Sequence, residues 1–395
     1  DEPAAADAAN MAGALEEFAG IPPAPLVVLQ SGDKSTITID PQAGGIRSVK
    51  LHGLDMTIGQ LNAPITAITP EQEKWSFSNA LILRQSDTAL TIKRQITGQP
   101  LVLEQTWAIP ANAQTPYQVD YKATLHNVGT ETVSFERFSL NAGTLQDLGT
   151  PKGFMGAGGV DQRVDVRFTG EEDAKTYQLA KISKFDAEDH QELDTQDTDW
   201  IAVQNKYFAS IMSTDRVISG TWPFIPNQVE LYLLKGDQPN TLNGVVVRRG
   251  TGNDLPKTVQ VSTDIDGATL SNNGTLTFKP QINQTTFTIT LPADTTDGTI
   301  KVTAGDAVGD EDSINDLIES KEDIPEKSLL VSGIAHIHGF EVGPGESESV
   351  TADFYLGPKT YDLLKTLGNN KESLMQYDLF LFFHPGWFKH ISLLI

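Results

Sequence analysis

The sequence predicts a mainly all-β protein. We expect an antiparallel β-sandwich with short C-terminal helices and a small inserted immunoglobulin-like β module. Short segments with apolar residues at every second position recur through most of the 395 residues, as expected for strands that bury one face. Turn residues, including 33 Gly and 21 Pro, separate these segments. The spacing of short strands and polar turns is typical of antiparallel sandwiches rather than of parallel α/β sheets.

The composition argues against several classes of function. There are 52 acidic and 29 basic side chains, for a net charge of −23, so a nucleic-acid backbone would be repelled. The absence of cysteine excludes disulfides, thiolate catalysis and Cys-based zinc sites. No apolar run reaches the roughly 18 residues of a membrane span, and no signal peptide precedes the chain. We therefore expect a soluble portion excised from a longer protein.

The first elements are a helix and then strands. Residues 1–22 are predicted to form an N-terminal helix or tether, because Met11, Leu15 and Phe18 share one helical face. The main sandwich is expected to span residues 23–250 and 326–370. Its clearest strands lie in these stretches: 35–39, 46–51, 101–107, 118–125, 132–138 and a hairpin within 200–212.

Residues 251–325 change in composition. They are rich in Thr, Asp, Asn and Gly, with few aromatic residues, and their strands recur about a dozen residues apart. This pattern predicts an inserted β module followed by an acidic linker. Because the module is short for an independent domain, we expect it to pack on the main body.

The end of the chain combines a strand, a helix and an apolar segment. A β-prone stretch over 350–356 is broken by Gly357 and Pro358, and an apolar helical stripe over 361–367 ends at Gly368. The most apolar part of the chain then follows within residues 371–395.

Candidate chemistry is sparse. His336 and His338 lie two apart on a predicted strand and could share a metal, but no third ligand can be identified. Asp120 and Glu136 could face one another across adjacent strands. The acidic residues Asp194, Asp197 and Asp199 lack the ligand spacing of a calcium loop. The sequence therefore predicts no catalytic residue, no metal site and no cofactor.

Several segments resemble the periplasmic domain of YidC-type bacterial membrane protein insertases. The resemblance covers most of the chain except residues near 250–325. It implies a β-supersandwich with a C-terminal helix packed on it. The matching signature residues, expected to be structural, are Trp200, Tyr207, Phe208, Pro344, Gly345, Tyr355, Gly357, Pro358 and Lys359.

The resemblance implies a non-enzymatic domain on the periplasmic face of the bacterial inner membrane. Such a domain would support an insertase and chaperone that integrates and folds membrane proteins, alone or with the Sec translocon. The implied partners are Sec subunits and nascent membrane proteins, and the isolated domain is expected to be a monomer. Residues 371–395 would begin an interfacial helix before the transmembrane helices, with Phe382, Phe383, Trp387, Phe388 and Lys389 near the membrane.

A second hypothesis is a periplasmic or secreted carbohydrate-binding β-sandwich related to aldose epimerases. In those enzymes a His follows the Asn-x-Gly turn and the next strand. The matching stretch here, residues 135–141, contains no His, which argues against epimerase chemistry but leaves a binding surface open. A sugar-binding protein is expected to show an open face with exposed aromatic and polar side chains.

Overall fold

The computed structural model describes most of the chain between residues 17 and 375. The gaps within that range are residues 53–55, 59–64, 67, 70–75, 112–114, 136, 147–161, 179–195, 206, 225–226, 237, 250–254, 280–281, 306, 322–323, 325–329 and 340. The helix predicted over residues 1–22 lies almost entirely outside the described residues, and residues 17–20 form a turn.

The described residues are mainly β-strands. In chain order they are Val27–Ser31 (β1), Ser35–Asp40 (β2), Gly45–Leu51 (β3), Met56–Ile58 (β4), Ile68–Thr69 (β5), Leu81–Gln85 (β6), Ala89–Ile96 (β7), Leu101–Ala108 (β8), Gln118–Asn127 (β9), Val133–Ser134 (β10), Arg137–Gln146 (β11), Arg163–Phe168 (β12), Lys175–Gln178 (β13), Thr198–Gln204 (β14), Phe208–Thr214 (β15), Ile218–Phe224 (β16), Gln228–Lys235 (β17), Thr241–Arg249 (β18), Thr258–Thr263 (β19), Thr269–Leu270 (β20), Thr275–Thr277 (β21), Gln284–Thr290 (β22), Thr299–Ala304 (β23), Ala307–Ser313 (β24), Leu330–His338 (β25), Glu341–Val342 (β26) and Ser347–Pro358 (β27). One α-helix, Tyr361–Thr366 (α1), and two 3₁₀ turns, Ser271–Gly274 and Lys371–Met375, complete the described elements. The predicted all-β class is confirmed.

The main body is an antiparallel sandwich. Thirteen described strands form one sheet whose central order is β16-β14-β15-β27-β9-β8-β7, and β1 to β4 form a second sheet. Strands alternate buried and partly buried residues, as in β2 and β7, because only one face meets the core. The two sheets share a hydrophobic core in which Leu29, Ile39 and Ile46 of the small sheet pack with the large sheet.

A buried polar network joins the two sheets. The Arg94 guanidinium donates to Gln105 Oε1 at 2.6 Å and to the Gln42 carbonyl at 2.8 Å. Gln105 Nε2 in turn donates to the Gly44 carbonyl at 2.9 Å and to the Tyr121 hydroxyl at 2.8 Å. Burial lowers the pKa of Arg94 to about 10, so this cation depends on its hydrogen bonds.

The chain between β16 and β25 forms a second unit. These two strands are neighbours in the main sheet, and β17 to β24 between them make an eight-stranded sheet that folds around its own core. The predicted module boundary at residue 251 falls after β18, although Val229 and Val246 on β17 and β18 contribute to this core.

The C-terminal helix packs on the outer face of the main sheet. Leu364 of α1 and Leu374 of the following 3₁₀ turn are buried against Trp200, Ile211 and Tyr355. Residues 371–375 therefore belong to the folded body, and residues 376–395, with the predicted membrane-proximal side chains, lie outside the described residues. None of the described helical segments is long and apolar enough to cross a membrane.

Substituting Gly44 with alanine should destabilise the main body. Gly44 has φ +70°, and an added Cβ would lie 1.8 Å from Arg94 Nη2 and 2.7 Å from Gln105 Oε1. We expect a loss of about 3 kcal/mol of unfolding free energy from backbone strain and overpacking together. Urea unfolding followed by tryptophan fluorescence measures it.

The matched control is Gly32→Ala. Gly32 has φ +58° but open space around its Cβ position, so only the strain of about 1 kcal/mol applies. Equal losses in the two variants would show that the buried network does not constrain residue 44.

Candidate binding cleft

Three neighbouring strands form the floor of a cleft on the outer face of the main sheet. The pairing of β15 with β27 and of β27 with β9 places Ser213, Asp353 and Asp120 in one row across the sheet. Two residues along each strand, Ile211, Tyr355 and Gln118 form a second row. Because residues two apart on a strand share a face, both rows point to the same side. All six residues line one cleft of about 340 Å³.

The C-terminal segment forms a wall of this cleft. Leu367, Asn369 and Lys371 line it from above the sheet. The Asn369 carbonyl accepts a hydrogen bond from Trp200 Nε1 at 2.9 Å and a second from the Arg167 guanidinium. These two donors anchor the wall to β14 and β12.

The wall has an unusual backbone. Gly368, Asn369 and Asn370 follow one another with φ of 70°, 50° and 55°. Asparagine tolerates the left-handed region better than most residues, but two in succession carry strain. The Asn370 side chain donates to the Glu172 carbonyl at 2.6 Å, which helps hold this conformation. The following residue, Lys371, is thereby directed into the body.

The two carboxylates of the cleft lie directly opposite each other. Asp120 and Asp353 are partners in the β9–β27 register, and such side chains are about 5 Å apart at Cβ. Partial burial raises the pKa of Asp120, and the neighbouring Asp353 carboxylate raises it further. Two adjacent carboxylates can bind a cation, accept hydrogen bonds or transfer a proton.

Lys371 brings a buried amine to the same cleft. Its side chain is only 7% exposed. Its ammonium has neither a hydrogen bond nor an ion pair among the described residues. Burial lowers the pKa of Lys371, while the Asp353 carboxylate acts in the opposite direction. The amine therefore faces the cleft with its hydrogen-bond donors unused by the described residues.

The aromatic residues of the cleft are buried. Phe354 is 1% exposed and Tyr355 is 2% exposed, and the Tyr355 hydroxyl donates to the Pro358 carbonyl at 2.5 Å. The exposed aromatic platform expected of a sugar-binding protein is therefore absent from the described part of this cleft. Recognition here depends on hydrogen bonds and charge instead.

The structure gathers most of the predicted signature residues around the end of β27. Phe208 pairs with Pro358, and Lys359 Nζ donates to the Asn205 carbonyl at 3.0 Å. Trp200 is fully buried, and Tyr207 is half exposed at the adjoining turn. An added Cβ on Gly357 would lie 2.7 Å from the Tyr117 ring. Among the nine signature residues, Tyr355 alone is part of the described lining of the cleft.

The remaining signature residues lie elsewhere. Pro344 and Gly345 form the turn before β27, with Gly345 at φ +71° and its amide donating to the Asn127 carbonyl at 3.0 Å. Their position is structural.

The residue pairs that the sequence analysis considered and set aside are described only in part. His336 is buried with its Nδ1 2.8 Å from Ser139 Oγ, and the His338 side chain is outside the description. The described residues contain no group of three or more potential metal ligands. Glu136 also lies outside the described residues, and the partner that faces Asp120 is Asp353.

Sequence reasoning missed Asp353 and Lys371. Asp353 lies in a recognised strand, and its outward position follows from the period-two pattern, but its pairing with Asp120 depends on a register between residues more than 200 apart. Nothing in the sequence indicates that Lys371 is buried, because a lysine in a polar Gly-Asn-Asn-Lys stretch is expected to be exposed.

Comparisons with known proteins find only distant similarity to solved structures. No family model and no curated protein matches the chain. A galactose mutarotase-like protein from Lactobacillus casei is 8% identical with a TM-score of 0.33, over 84% of this chain and 100% of its own. A protein from Synechocystis is 9% identical with a TM-score of 0.31, over 85% and 96%. A structure named as an aldose 1-epimerase, from Klebsiella pneumoniae, is 9% identical with a TM-score of 0.30, over 87% and 81%.

These findings correct the insertase interpretation. One matched structure is named as a galactose mutarotase-like protein and another as an aldose 1-epimerase, and neither is an insertase, so the resemblance to YidC-type insertases is wrong, together with the inferred chaperone and protein-transport role. The expectation of a non-enzyme is contradicted as well, because two of the matched structures are named for a mutarotase or an epimerase. The implied partners, Sec subunits and nascent membrane proteins, rested on that resemblance and are not tested by these structures. The monomeric state stays a prediction. Such distant similarities do not identify a substrate, so function has to be argued from the cleft.

Replacing Trp200 with phenylalanine should loosen the wall of the cleft. The variant keeps a large ring but loses the Nε1 hydrogen bond to the Asn369 carbonyl, worth about 1 kcal/mol. We expect faster amide hydrogen exchange in peptides that cover residues 365–375, measured by mass spectrometry.

Trp107→Phe is the matched control. Trp107 is equally buried, and its Nε1 donates to Thr66 Oγ1 at 2.9 Å. It lies in the core that the two sheets of the main body share. This variant should leave exchange in residues 365–375 unchanged at the same temperature. If both variants accelerate exchange there equally, the Trp200 contact does not anchor the wall.

Proposed function

We propose that this protein binds a carbohydrate in the cleft between β9, β15, β27 and the C-terminal segment. The observation that carries the proposal is that Lys371, a largely buried residue whose ammonium has no hydrogen bond among the described residues, lines the same cleft as the paired carboxylates Asp120 and Asp353. A ligand that both accepts and donates hydrogen bonds satisfies all three groups at once.

Sugar hydroxyls have this dual character. Each hydroxyl donates one hydrogen bond and accepts up to two. Lys371 supplies donors only, Asp120 and Asp353 supply acceptors, and the amide side chains of Gln118 and Asn369 can supply either. Neighbouring hydroxyls on one sugar ring therefore fit a cleft in which donors and acceptors alternate over a few ångströms.

The size of the cleft limits the ligand. A volume of about 340 Å³ is near the lower end of the range for small-molecule sites. The apolar side chains of Pro110, Ile211 and Leu367 complete the lining and can contact the C–H face of a ring. The proposal is accordingly a monosaccharide unit, free or at the end of a longer glycan.

The carboxylate pair supports a second candidate function, acid–base chemistry on the bound sugar. Burial and the Asp353 charge raise the pKa of Asp120, so Asp120 holds a proton more readily than an ordinary aspartate. Asp120 would then donate a proton and Asp353 would accept one, the division of roles that interconversion of sugar anomers requires.

The proposal includes a periplasmic or secreted location. An acidic chain without cysteine is compatible with it. Fractionation of the source cells would test this part of the proposal by itself.

Removing the Lys371 amine should weaken sugar binding. We expect Lys371→Met to reduce affinity about 10- to 100-fold, because a charged hydrogen-bond donor is lost while the aliphatic stem is kept. A monosaccharide panel screened by saturation-transfer NMR identifies the ligand, and calorimetric titration then compares the variants.

Lys365→Met is the control, since Lys365 is exposed on α1 and does not line the cleft. It should bind as the unmodified protein does. The proposal fails if no monosaccharide binds the unmodified protein, or if Lys371→Met binds as tightly.

Removing either carboxylate should abolish proton transfer. If the pair acts as acid and base, Asp120→Asn and Asp353→Asn should each slow the interconversion of sugar anomers about 100-fold or more, followed by polarimetry. Asp266→Asn, at an exposed carboxylate of the second unit, should retain the full rate. An unmodified protein that binds sugar without accelerating mutarotation would restrict the function to binding.

A further inference from the structure

The charges of the cleft do not balance. Asp120 and Asp353 contribute two carboxylates, and Lys371 contributes one ammonium. No other acidic or basic side chain that is charged at neutral pH lines the cleft within the described residues. With both carboxylates ionised, the side chains of the cleft carry one excess negative charge.

The excess charge belongs mainly to Asp120. The Asp353 carboxylate is the strongest charge acting on Lys371, so these two groups compensate each other electrostatically. The charge that acts on Asp120 is its like-charged neighbour Asp353, and no described Lys or Arg forms an ion pair with Asp120. Asp120 is thus the acceptor that a ligand must neutralise.

Neighbouring cations act on the wall rather than on Asp120. Arg167 lies close enough to influence Lys371, but its guanidinium donates to the Asn369 carbonyl and lies 3.7 Å from Asp199. These contacts of Arg167 hold the wall in place. The cleft therefore lacks an internal cation that could compensate Asp120.

We infer that the cleft selects a sugar bearing a free primary amine, whose ammonium lies between Asp120 and Asp353 while a hydroxyl accepts from Lys371. This inference rests on the proposed function and specifies its ligand class. An ammonium has three donors and no acceptor, so it can bridge two facing carboxylates, which a hydroxyl with one donor cannot do. A carboxylated sugar would meet Lys371 favourably but would also face both aspartates.

The test compares four related sugars that carry a positive, a negative or no charge. Glucosamine, N-acetylglucosamine, glucose and glucuronic acid are titrated into the full chain by calorimetry at pH 6.5, where a primary amine is protonated. We expect glucosamine to bind at least about 10-fold more tightly than glucose, because a charge-assisted hydrogen bond replaces a neutral one. N-acetylation, which removes the charge at the same position, should abolish that advantage.

Substitutions locate the selectivity. Asp120→Asn should weaken glucosamine binding by a larger factor than glucose binding, so that the preference falls to about threefold or less. Asp362→Asn on α1, an exposed carboxylate outside the cleft, should keep the full preference. Thermal unfolding of each variant confirms that the fold is intact.

The outcomes separate this inference from the proposed function. If none of the four sugars binds and the wider monosaccharide panel is also negative, the proposed function fails. If glucose or glucuronic acid binds as well as glucosamine, carbohydrate binding stands and the amine selectivity is overturned. If the preference survives in Asp120→Asn, the ammonium is bound elsewhere and the assignment to this cleft is wrong.

Discussion

The pairing of β9 with β27 is the constraint on which the candidate site depends. It joins residues 118–126 to residues 347–355, so a loop of more than 200 residues closes when it forms. The entropic cost of closing a loop grows only with the logarithm of its length. The buried side chains Tyr121 and Phe354, whose rings meet edge to face, help to offset this cost. On the opposite face the same register sets Asp120 against Asp353. One pairing thus supplies both core packing and the carboxylate pair.

The pairing also determines where the chain goes next. Because β27 ends beside β15, the following α1 helix is delivered onto the outer face, where Leu364 covers Trp200. The turn after α1 then holds two successive asparagines in left-handed conformations, at about 1–3 kcal/mol each. Such strained conformations persist only when surrounding contacts hold them in place. Here the hydrogen bonds that Trp200 and Arg167 donate to the Asn369 carbonyl hold the turn. The outcome is a rigid wall that keeps the Lys371 side chain buried before any ligand arrives.

Much of the fold followed from local patterns. Period-two alternation predicted strands such as β2 and β9, and the hairpin of β14 and β15 was predicted with its turn near Asn205. Registers between distant strands could not be predicted, since alternation states which face is buried but not which strand lies beside it. The cleft depends on two such registers. Its most informative residue, Lys371, is buried by a turn whose geometry has no signature in a single sequence.

The misleading resemblance has a physical explanation in the same region. The motif residues around β27 meet local structural needs: the Tyr355 hydroxyl binds the Pro358 carbonyl, and Lys359 Nζ binds the Asn205 carbonyl. Gly357 has no room for a side chain beside Tyr117. A strand that ends beneath a helix imposes these requirements whatever the protein does. The motif therefore reflects how the chain turns from strand to helix, while the proposed site consists of Asp120, Asp353 and Lys371, which belong to no recognised motif.

The charge of the cleft agrees in sign with the charge of the whole chain. A net charge of −23 attracts cationic solutes and repels anionic ones at long range, and salt screens this effect over about 8 Å at physiological ionic strength. The carboxylate pair acts at contact distance and is screened less, because part of its surroundings is protein. Salt should therefore slow the approach of a charged sugar more than it weakens the bound state. If only the acidic surface attracted the sugar, salt would reduce the association rate and the stability of the bound state to the same extent. The salt dependence of the association and dissociation rate constants therefore distinguishes a charge-selective cleft from a merely acidic protein.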